Sequence, residues 1–224
     1  MNAWPAHCLC LVTDRRRCAP SARTPAAELR ALNHQLDEAT EAGIDLIHVR
    51  EPDLSARQQR DFVADLVRRV GRAPCRVLLN DRIDVTIASG AHGVHLRGRS
   101  VPTIDARTLA AALIIGRSVR DEGDVRSAGQ VDYLVAGTAF ATRSKPGVAP
   151  LGAAGLSALV TAAAGVPVLA IGGITPDRMT TVQRAGAAGI AAIGLFLPAG
   201  TEPGALGVRT AIMTLRAAMR ADIC

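Results

Sequence analysis

The chain has 224 residues, of which 49% are hydrophobic and 21% are charged, so it can bury a sizeable core and is not intrinsically disordered. Only 2% are aromatic, which argues against a platform that stacks the bases of single-stranded nucleic acid. The net charge of +6 comes from twenty-five arginines and one lysine, and it suits either nucleic acid or phosphorylated metabolites as partners.

Targeting and redox signals are absent from the sequence. No apolar run approaches the roughly 20 residues that cross a bilayer. The arginines near the start follow the apolar stretch, which is the reverse of a signal peptide, so we expect a cytoplasmic protein with no membrane partner. The five cysteines lack C-x-x-C spacing and predict neither disulfides nor a zinc site. Cys8 and Cys10 are two apart in an apolar strand and are predicted to be small core residues on one face.

Short apolar runs alternate with helical patterns along the chain. The predicted strands are 8–13, 44–49, 76–79, 93–96, 113–118, 131–136, 168–171 and 189–193. The predicted helices are 24–43 (with Thr24 as its cap), 55–70, 83–89, 103–112, 122–128, 152–164, 176–185 and 203–220. Continuous apolar strands of this kind belong to parallel sheets that helices cover.

Eight such strand–helix units predict an α/β protein, a single-domain (β/α)₈ TIM barrel over residues 1–224. An open doubly wound sheet is the alternative. It usually has fewer units and a glycine-rich first turn, whereas the first turn here, Asp14 to Arg17, contains no glycine.

Active sites of such barrels form at the C-terminal ends of the strands. The residues that follow the first five strands are Asp14, Arg15, His48, Arg50, Glu51, Asn80, Asp81, His95, Arg97, Arg99, Ser118 and Arg120. Arginines crowd this predicted rim and acidic groups are few, so we expect it to attract small anionic substrates. Nucleic acid is not expected, because duplex binding favours charge on an exposed helix or a flat face.

Glycines follow the last two strands. Gly172 and Gly173 come after strand seven, and Ile193 and Gly194 come after strand eight. Barrels commonly bind phosphate between these two loops through backbone N–H groups, and glycine lets the phosphate oxygens approach. The alternative is that the glycines only turn the chain.

The loop after strand six offers hydroxyls at Thr142 and Ser144 and the only lysine, Lys145. A single lysine in an arginine-rich chain indicates a need for a compact ammonium, and phosphate contact is the favoured role. A Schiff-base lysine would instead project from the strand itself. The alternative is a surface lysine without function.

Metal chemistry has little support in the residues themselves. His92 and His95 are three apart, so on a strand they face opposite sides and do not chelate one ion. Asp81 is the only carboxylate well placed for a divalent cation, and one carboxylate makes a weak site.

Seven motifs together resemble a known superfamily, that of thiamine phosphate synthase and thiazole tautomerase, whose members are small (β/α)₈ enzymes. The motifs are LCLVTD (9–14), IHVRE (47–51), LLNDRID (78–84), GVHL (93–96), GRSV (116–119), TRSK (142–145) and VLAIGGITPDR (168–178). They are spread over essentially the whole chain, and only their combination is specific.

The resemblance implies two sets of ligands. The residues that match pyrophosphate contacts are Arg50, Asn80, Ser118 and Lys145, and Asp81 matches one Mg²⁺ ligand. The residues that match the thiazole phosphate site are Thr142, Ser144, Gly173, Ile193 and Gly194.

Several positions depart from the synthase pattern. His48 stands in place of a glutamine, Pro52 in place of a lysine, and Ser100 in place of a second Mg²⁺ aspartate. Arg97 and Arg99 can partly replace the charge of the ion. The tautomerase branch needs no metal, but its expected acid/base is a histidine where Arg120 stands here. Arg120, which follows strand five, is predicted to bind substrate.

Three functions remain open on this evidence. The preferred one is a metal-independent thiazole tautomerase, with His48, Arg50 and Lys145 as catalytic residues and no cofactor. We expect Arg50 and Arg97 to lower the pKa of His48, and activity to titrate at roughly pH 6. The alternative is a Mg²⁺-dependent synthase that joins hydroxymethylpyrimidine pyrophosphate to thiazole phosphate. The third is a non-catalytic relative that binds thiamine phosphate, and homo-oligomerisation is left open in each case.

Overall fold

The computed structural model describes residues 4–5, 7–144 and 146–221, and in them the chain folds into a closed parallel barrel. The eight strands pair in chain order, and β1 also pairs with β8 to close the barrel. Their bounds are β1 Cys8–Val12, β2 Leu46–Val49, β3 Arg76–Asn80, β4 Gly93–Leu96, β5 Ile114–Val119, β6 Tyr133–Gly137, β7 Val168–Ile171 and β8 Gly189–Ala192. The predicted (β/α)₈ fold is confirmed.

Helices connect the strands and cover the outer face of the barrel. Their bounds are α1 Arg15–Cys18, α2 Pro25–Glu41, α3 Ala56–Val70, α4 Ile83–Ser89, α5 Thr103–Leu109, α6 Glu122–Ser127, α7 Gly152–Ala162, α8 Met179–Arg184 and α9 Val208–Ala221. The short helix α1 was not predicted; Asp14 caps it by accepting a hydrogen bond from the Arg17 amide.

Two predicted helices differ from the structure at their starts. The segment predicted as 176–185 begins with a 3₁₀ turn at Pro176–Arg178 before α8. The segment predicted to begin at Pro203 becomes α9 only at Val208, because Gly204 and Gly207 take positive φ angles of 87° and 77° that a helix does not allow. Strand and helix ends elsewhere shift by a few residues, as is usual where only hydrogen bonding defines the boundary.

Alternate residues of each strand face two different cores. On β1, Leu9 and Leu11 pack outward against the helices, while Cys8 and Cys10 pack inside the barrel. The predicted shared face of these two cysteines is confirmed. The four described cysteines are buried free thiols, as expected for small core residues.

An aromatic pair fills the barrel interior near its N-terminal end. Tyr133 is fully buried and stacks on Trp4 with ring centroids 5.0 Å apart. Gly116 makes room for the phenol, because a Cβ there would lie 2.1 Å from the ring. A cavity of about 330 Å³ beside Trp4 lies at this end, and the described residues that line it include no titratable side chain. Chemistry is therefore expected at the opposite end, where the strands finish.

No helix among the described residues is long and apolar enough to cross a membrane. That one barrel domain extends over all of residues 1–224 stays a prediction, because a few positions lie outside the described ranges.

Candidate active site at the barrel mouth

Side chains from β2 to β5 meet at the C-terminal end of the barrel, which we call the mouth. Leu46 and Leu78 pack inside the barrel, so His48 and Asn80, two residues later on the same strands, share the inward face. The same alternation turns His95 and Ser118 inward from β4 and β5. We call His48, Arg50, Asn80, Asp81, Arg97, Ser100 and Ser118 the side-chain half of the mouth.

A hydrogen-bonded chain of side chains lies below this half. The imidazole of His95 is 2% exposed, and its Nδ1 lies 2.9 Å from the Tyr133 hydroxyl. Its Nε2 lies 2.9 Å from Ser118 Oγ. Ser118, predicted to contact pyrophosphate, is thus held by His95 from inside the barrel. Burial holds the pKa of His95 well below its ordinary value, so the ring is neutral and accepts from one hydroxyl while it donates to the other.

His48 lies beside His95, with ring centroids 4.6 Å apart. The ring is buried, and its Nε2 has no hydrogen-bond partner among the described residues. Burial lowers the pKa of His48 from 6.5 to about 4, an effect that the Asn80 side chain opposes and the Arg50 charge reinforces. The predicted influence of Arg50 is present, but burial is the larger cause and Arg97 makes no separate contribution. The pKa of His48 is thus below the value of roughly 6 at which the sequence predicted the activity to titrate.

Asp81 does not present a free carboxylate to the mouth. The Ser100 hydroxyl donates to Asp81 Oδ1, and Arg97 Nε donates to Oδ2. The Arg97 amide adds a bond of 3.2 Å to Oδ1. No group of three or more histidine, cysteine or acidic side chains suited to a metal ion occurs among the described residues. A single carboxylate whose two oxygens are already engaged by Ser100 and Arg97 does not fit the magnesium ion that the synthase resemblance implies at Asp81.

Carboxylates accompany most arginines of the mouth, contrary to the expectation that acidic groups are few there. Buried Arg15 contacts Glu28, Glu51 and Asp53, and Arg17 contacts Glu202. Arg120, a predicted substrate contact, is exposed and lies 3.5 Å from Asp124. The guanidinium of Arg50 is exposed and has no ion-pair partner in the described part of the chain. Sequence reasoning missed the pairings of Arg15 and Arg17 because their partners come from distant segments of the chain.

The opposite side of the mouth is built from backbone, and we call it the glycine half: Thr142, Ser144, Gly172, Gly173, Ile193 and Gly194. Gly172 and Gly173 have φ angles of 99° and 63°, which other residues rarely adopt. A Cβ on Gly173 would lie 2.5 Å from the Ala141 carbonyl oxygen, so a side chain is excluded there. Arg178 fixes this turn by donating to the Gly173 carbonyl at 2.6 Å while lying over the Phe140 ring.

Ile193 and Gly194 begin a 3₁₀ turn at Gly194–Phe196. The first amides of such a turn have no partner within it and are available to an anion. A Cβ on Gly194 would lie 2.5 Å from Glu202 Oε1 and 3.2 Å from an Arg17 nitrogen, so this ion pair flanks the predicted phosphate site. The pair was not predicted, since its members are 185 positions apart.

The loop after β6 completes the glycine half. Thr142 Oγ1 lies 3.1 Å from Ser144 Oγ, so the two predicted phosphate-binding hydroxyls are adjacent. Residues of this loop line a surface cavity of about 420 Å³. Lys145, predicted as a catalytic and phosphate-binding residue, lies outside the described residues.

Residues 9–196 match the model of a family described as thiamine monophosphate synthase. A thiamine-phosphate synthase of Haloquadratum walsbyi is 34% identical over 175 residues, which cover 76% of this chain and 78% of the relative. The thiamine-phosphate synthase of Chloroflexus aurantiacus is 34% identical over 181 residues, covering 79% of this chain and 83% of the relative.

A solved structure shares the fold over nearly the whole chain. Thiamine phosphate pyrophosphorylase from Pyrococcus furiosus superposes with a TM-score of 0.79 at 29% identity, covering 97% of each chain. A 3-hexulose-6-phosphate synthase, at 19% identity and a TM-score of 0.63, shares the barrel fold alone. On the family match and the two curated relatives, the chain belongs to the thiamine monophosphate synthase family of enzymes.

Proposed function

We propose that this protein is a transferase that joins hydroxymethylpyrimidine pyrophosphate to thiazole phosphate and releases pyrophosphate. The names of the curated relatives favour this alternative over the tautomerase that the sequence departures had favoured. The observation that carries the proposal is the two-sided mouth. In a closed barrel of eight strands, β3 lies across from β7, so the side-chain half faces the glycine half.

The transfer has two phosphorylated substrates and needs a site for each, one for a monophosphate and one for a diphosphate, whereas the tautomerase has one substrate with a single phosphate. The glycine half, with its backbone amides and the hydroxyls of Thr142 and Ser144, suits a terminal phosphate monoester. The side-chain half, with Arg50, Asn80 and Ser118, suits a diphosphate. Two phosphorylated substrates bound on opposite sides would place their reacting ends over the centre of the mouth.

The transfer forms one bond and breaks one. The thiazole nitrogen bonds to the carbon that carries the diphosphate, and the pyrophosphate leaves with the electron pair of the carbon–oxygen bond. Negative charge grows on the leaving oxygens, so fixed cationic donors in the side-chain half would stabilise the transition state. Arg50, whose guanidinium faces solvent without a carboxylate partner, is one such donor among the described residues.

The test supplies both substrates to the purified protein and measures thiamine phosphate by chromatography and pyrophosphate by an enzymatic assay. The proposal requires equal amounts of the two products. Formation of neither product from the complete substrate set would reject it.

A thiazole tautomerase is the second candidate, and buried His48 favours it. A proton shift needs a neutral base, and the lowered pKa keeps this imidazole neutral at physiological pH. Its unpartnered Nε2 is the atom that would accept the proton. If this reaction is the true one, carboxythiazole phosphate is aromatised in EDTA, and His48→Ala lowers the rate by roughly 10²–10⁴. An unchanged rate in His48→Ala would exclude this candidate's base.

A further inference from the structure

The turn that follows β4 closes onto Asp81. The Ser100 amide donates to the Arg97 carbonyl at 3.0 Å, and the Arg97 amide donates to Ser100 Oγ at 2.8 Å. From β5, Arg117 donates to the carbonyls of Val101 at 3.0 Å and Gly98 at 3.4 Å, which anchors the far side of the turn. Contacts within the turn, from Asp81 after β3 and from Arg117 on β5 thus set the position of Arg97.

The backbone of Asp81 is fixed by contacts other than its ion pair with Arg97. Its amide donates to the His95 carbonyl at 2.9 Å, and its φ of 62° turns the chain sharply at the end of β3. Aspartate tolerates this left-handed conformation better than most residues. The carboxylate therefore meets the turn in one orientation.

Exposure differs sharply across this ion pair. The Asp81 side chain is 15% exposed, whereas that of Arg97 is 66% exposed. The carboxylate is covered by the guanidinium and the Ser100 hydroxyl, so the exposed group of the pair is cationic. Only Nε of the guanidinium is engaged, and its two terminal nitrogens have no hydrogen-bond partner among the described residues. Such a planar fork binds phosphate oxygens through two parallel hydrogen bonds.

We propose that the Arg97 guanidinium, oriented by Asp81 and Ser100, binds the substrate diphosphate directly and takes the place of a divalent cation. This inference rests on the proposed transferase function. It explains why residue 100 can be a serine. A second carboxylate at this position would compete for the guanidinium and repel the diphosphate.

Calorimetry with inorganic pyrophosphate tests the inference without turnover. The wild-type protein should bind pyrophosphate in EDTA, and added Mg²⁺ should change the affinity less than about threefold. Arg97→Ala should weaken binding in EDTA by about 10- to 100-fold, because a charge-assisted contact is lost. Arg97→Lys keeps the charge but loses the planar fork, and it should fall between the two. Arg72→Ala, at an exposed position before β3 and far from the mouth, removes the same charge and should bind like the wild type.

A second variant introduces the missing carboxylate. Ser100→Asp should weaken pyrophosphate binding in EDTA by about 10-fold and make it recover with Mg²⁺, because two carboxylates at Asp81 can then hold the ion. Wild-type binding that requires Mg²⁺, or Arg97→Ala binding at wild-type affinity, would overturn the inference. Thiamine phosphate formed only with Mg²⁺ would overturn it and leave the proposed function standing, whereas failure to form product under any condition would reject the function itself.

Discussion

The two halves of the mouth recognise anions with different parts of the chain. The glycine half presents backbone amides, held by turns such as the one at Gly173 that exclude any side chain. The side-chain half presents an imidazole, a carboxamide and guanidiniums from four neighbouring strands and the loops that follow them. Backbone recognition changes little when surrounding residues change, whereas side-chain recognition changes with every substitution. This difference agrees with the departures from the synthase pattern at His48 and Ser100, which both lie in the side-chain half.

Charge is also handled differently in the two halves. In the glycine half, Arg17 is paired with Glu202 beside Gly194, and both side chains are about one-third exposed. In the side-chain half, Arg97 covers Asp81 and faces solvent. The first half therefore relies on amide dipoles next to a neutralised pair, and the second relies on net positive charge. The following variants test this contrast.

Gly194→Asp should have the largest effect, a loss of more than about 100-fold in thiazole phosphate affinity. The new carboxylate would lie beside Glu202 and at the amides of the 3₁₀ turn, where an anion would be repelled. Isothermal titration calorimetry measures the affinity. Gly200→Asp is the charge-matched control, because a Cβ there has open space around it and aspartate tolerates the φ of 83° better than most residues. Unchanged affinity in Gly194→Asp would remove this site from consideration.

Gly173→Ala should lower the free energy of unfolding by about 3 kcal/mol, through overpacking added to left-handed strain. The Cβ would meet two carbonyl oxygens that the loop cannot easily move, those of Phe140 and Ala141. Gly90→Ala has a similar φ of 70° but nothing within 4 Å, so only the left-handed strain remains and the change should cost about 1 kcal/mol. Urea unfolding compares the two variants, and equal losses would mean that the close approach is unimportant.

His48→Gln should flatten the pH dependence of stability. The unfolded chain binds a proton at this residue near pH 6.5, and the folded chain does so only near pH 4. Between these values protonation favours the unfolded state, so the wild type loses about 3 kcal/mol as the pH falls from 6.5 to 4. The free energy of unfolding of the variant should fall by about 3 kcal/mol less than that of the wild type, as measured by urea unfolding across this pH range. His34→Gln, on the exposed face of α2, should retain the wild-type profile.

Lys145→Ala should weaken substrate binding by about 1.5–3 kcal/mol, the value of a lost charge-assisted contact. This expectation comes from the sequence pattern alone. Substrate affinity by calorimetry and the melting temperature are measured together. A variant that melts early but binds normally would show that Lys145 has a structural role instead.

The sequence by itself determined the architecture and the membership of the mouth. Apolar runs separated by helical patterns predicted all eight strands, because burial on both faces requires continuous hydrophobic residues in a parallel sheet. Because the active sites of such barrels form where the strands end, the sequence then predicted that His48, Asn80, Ser118 and the glycine loops lie at the same end of the barrel. Short-range signals were sufficient for this, since each lies within a few residues of a strand.

Only the tertiary structure decided how those groups are paired and protonated. Arg97 with Asp81, Arg17 with Glu202 and His95 with Tyr133 are separated by 16, 185 and 38 positions, and nothing local in the sequence joins them. The pKa of His48 was likewise unpredictable in size, because it depends mainly on how completely neighbouring strands exclude water. Residue identities can be listed from a sequence, but pairing and desolvation depend on distances that exist only after the barrel has closed.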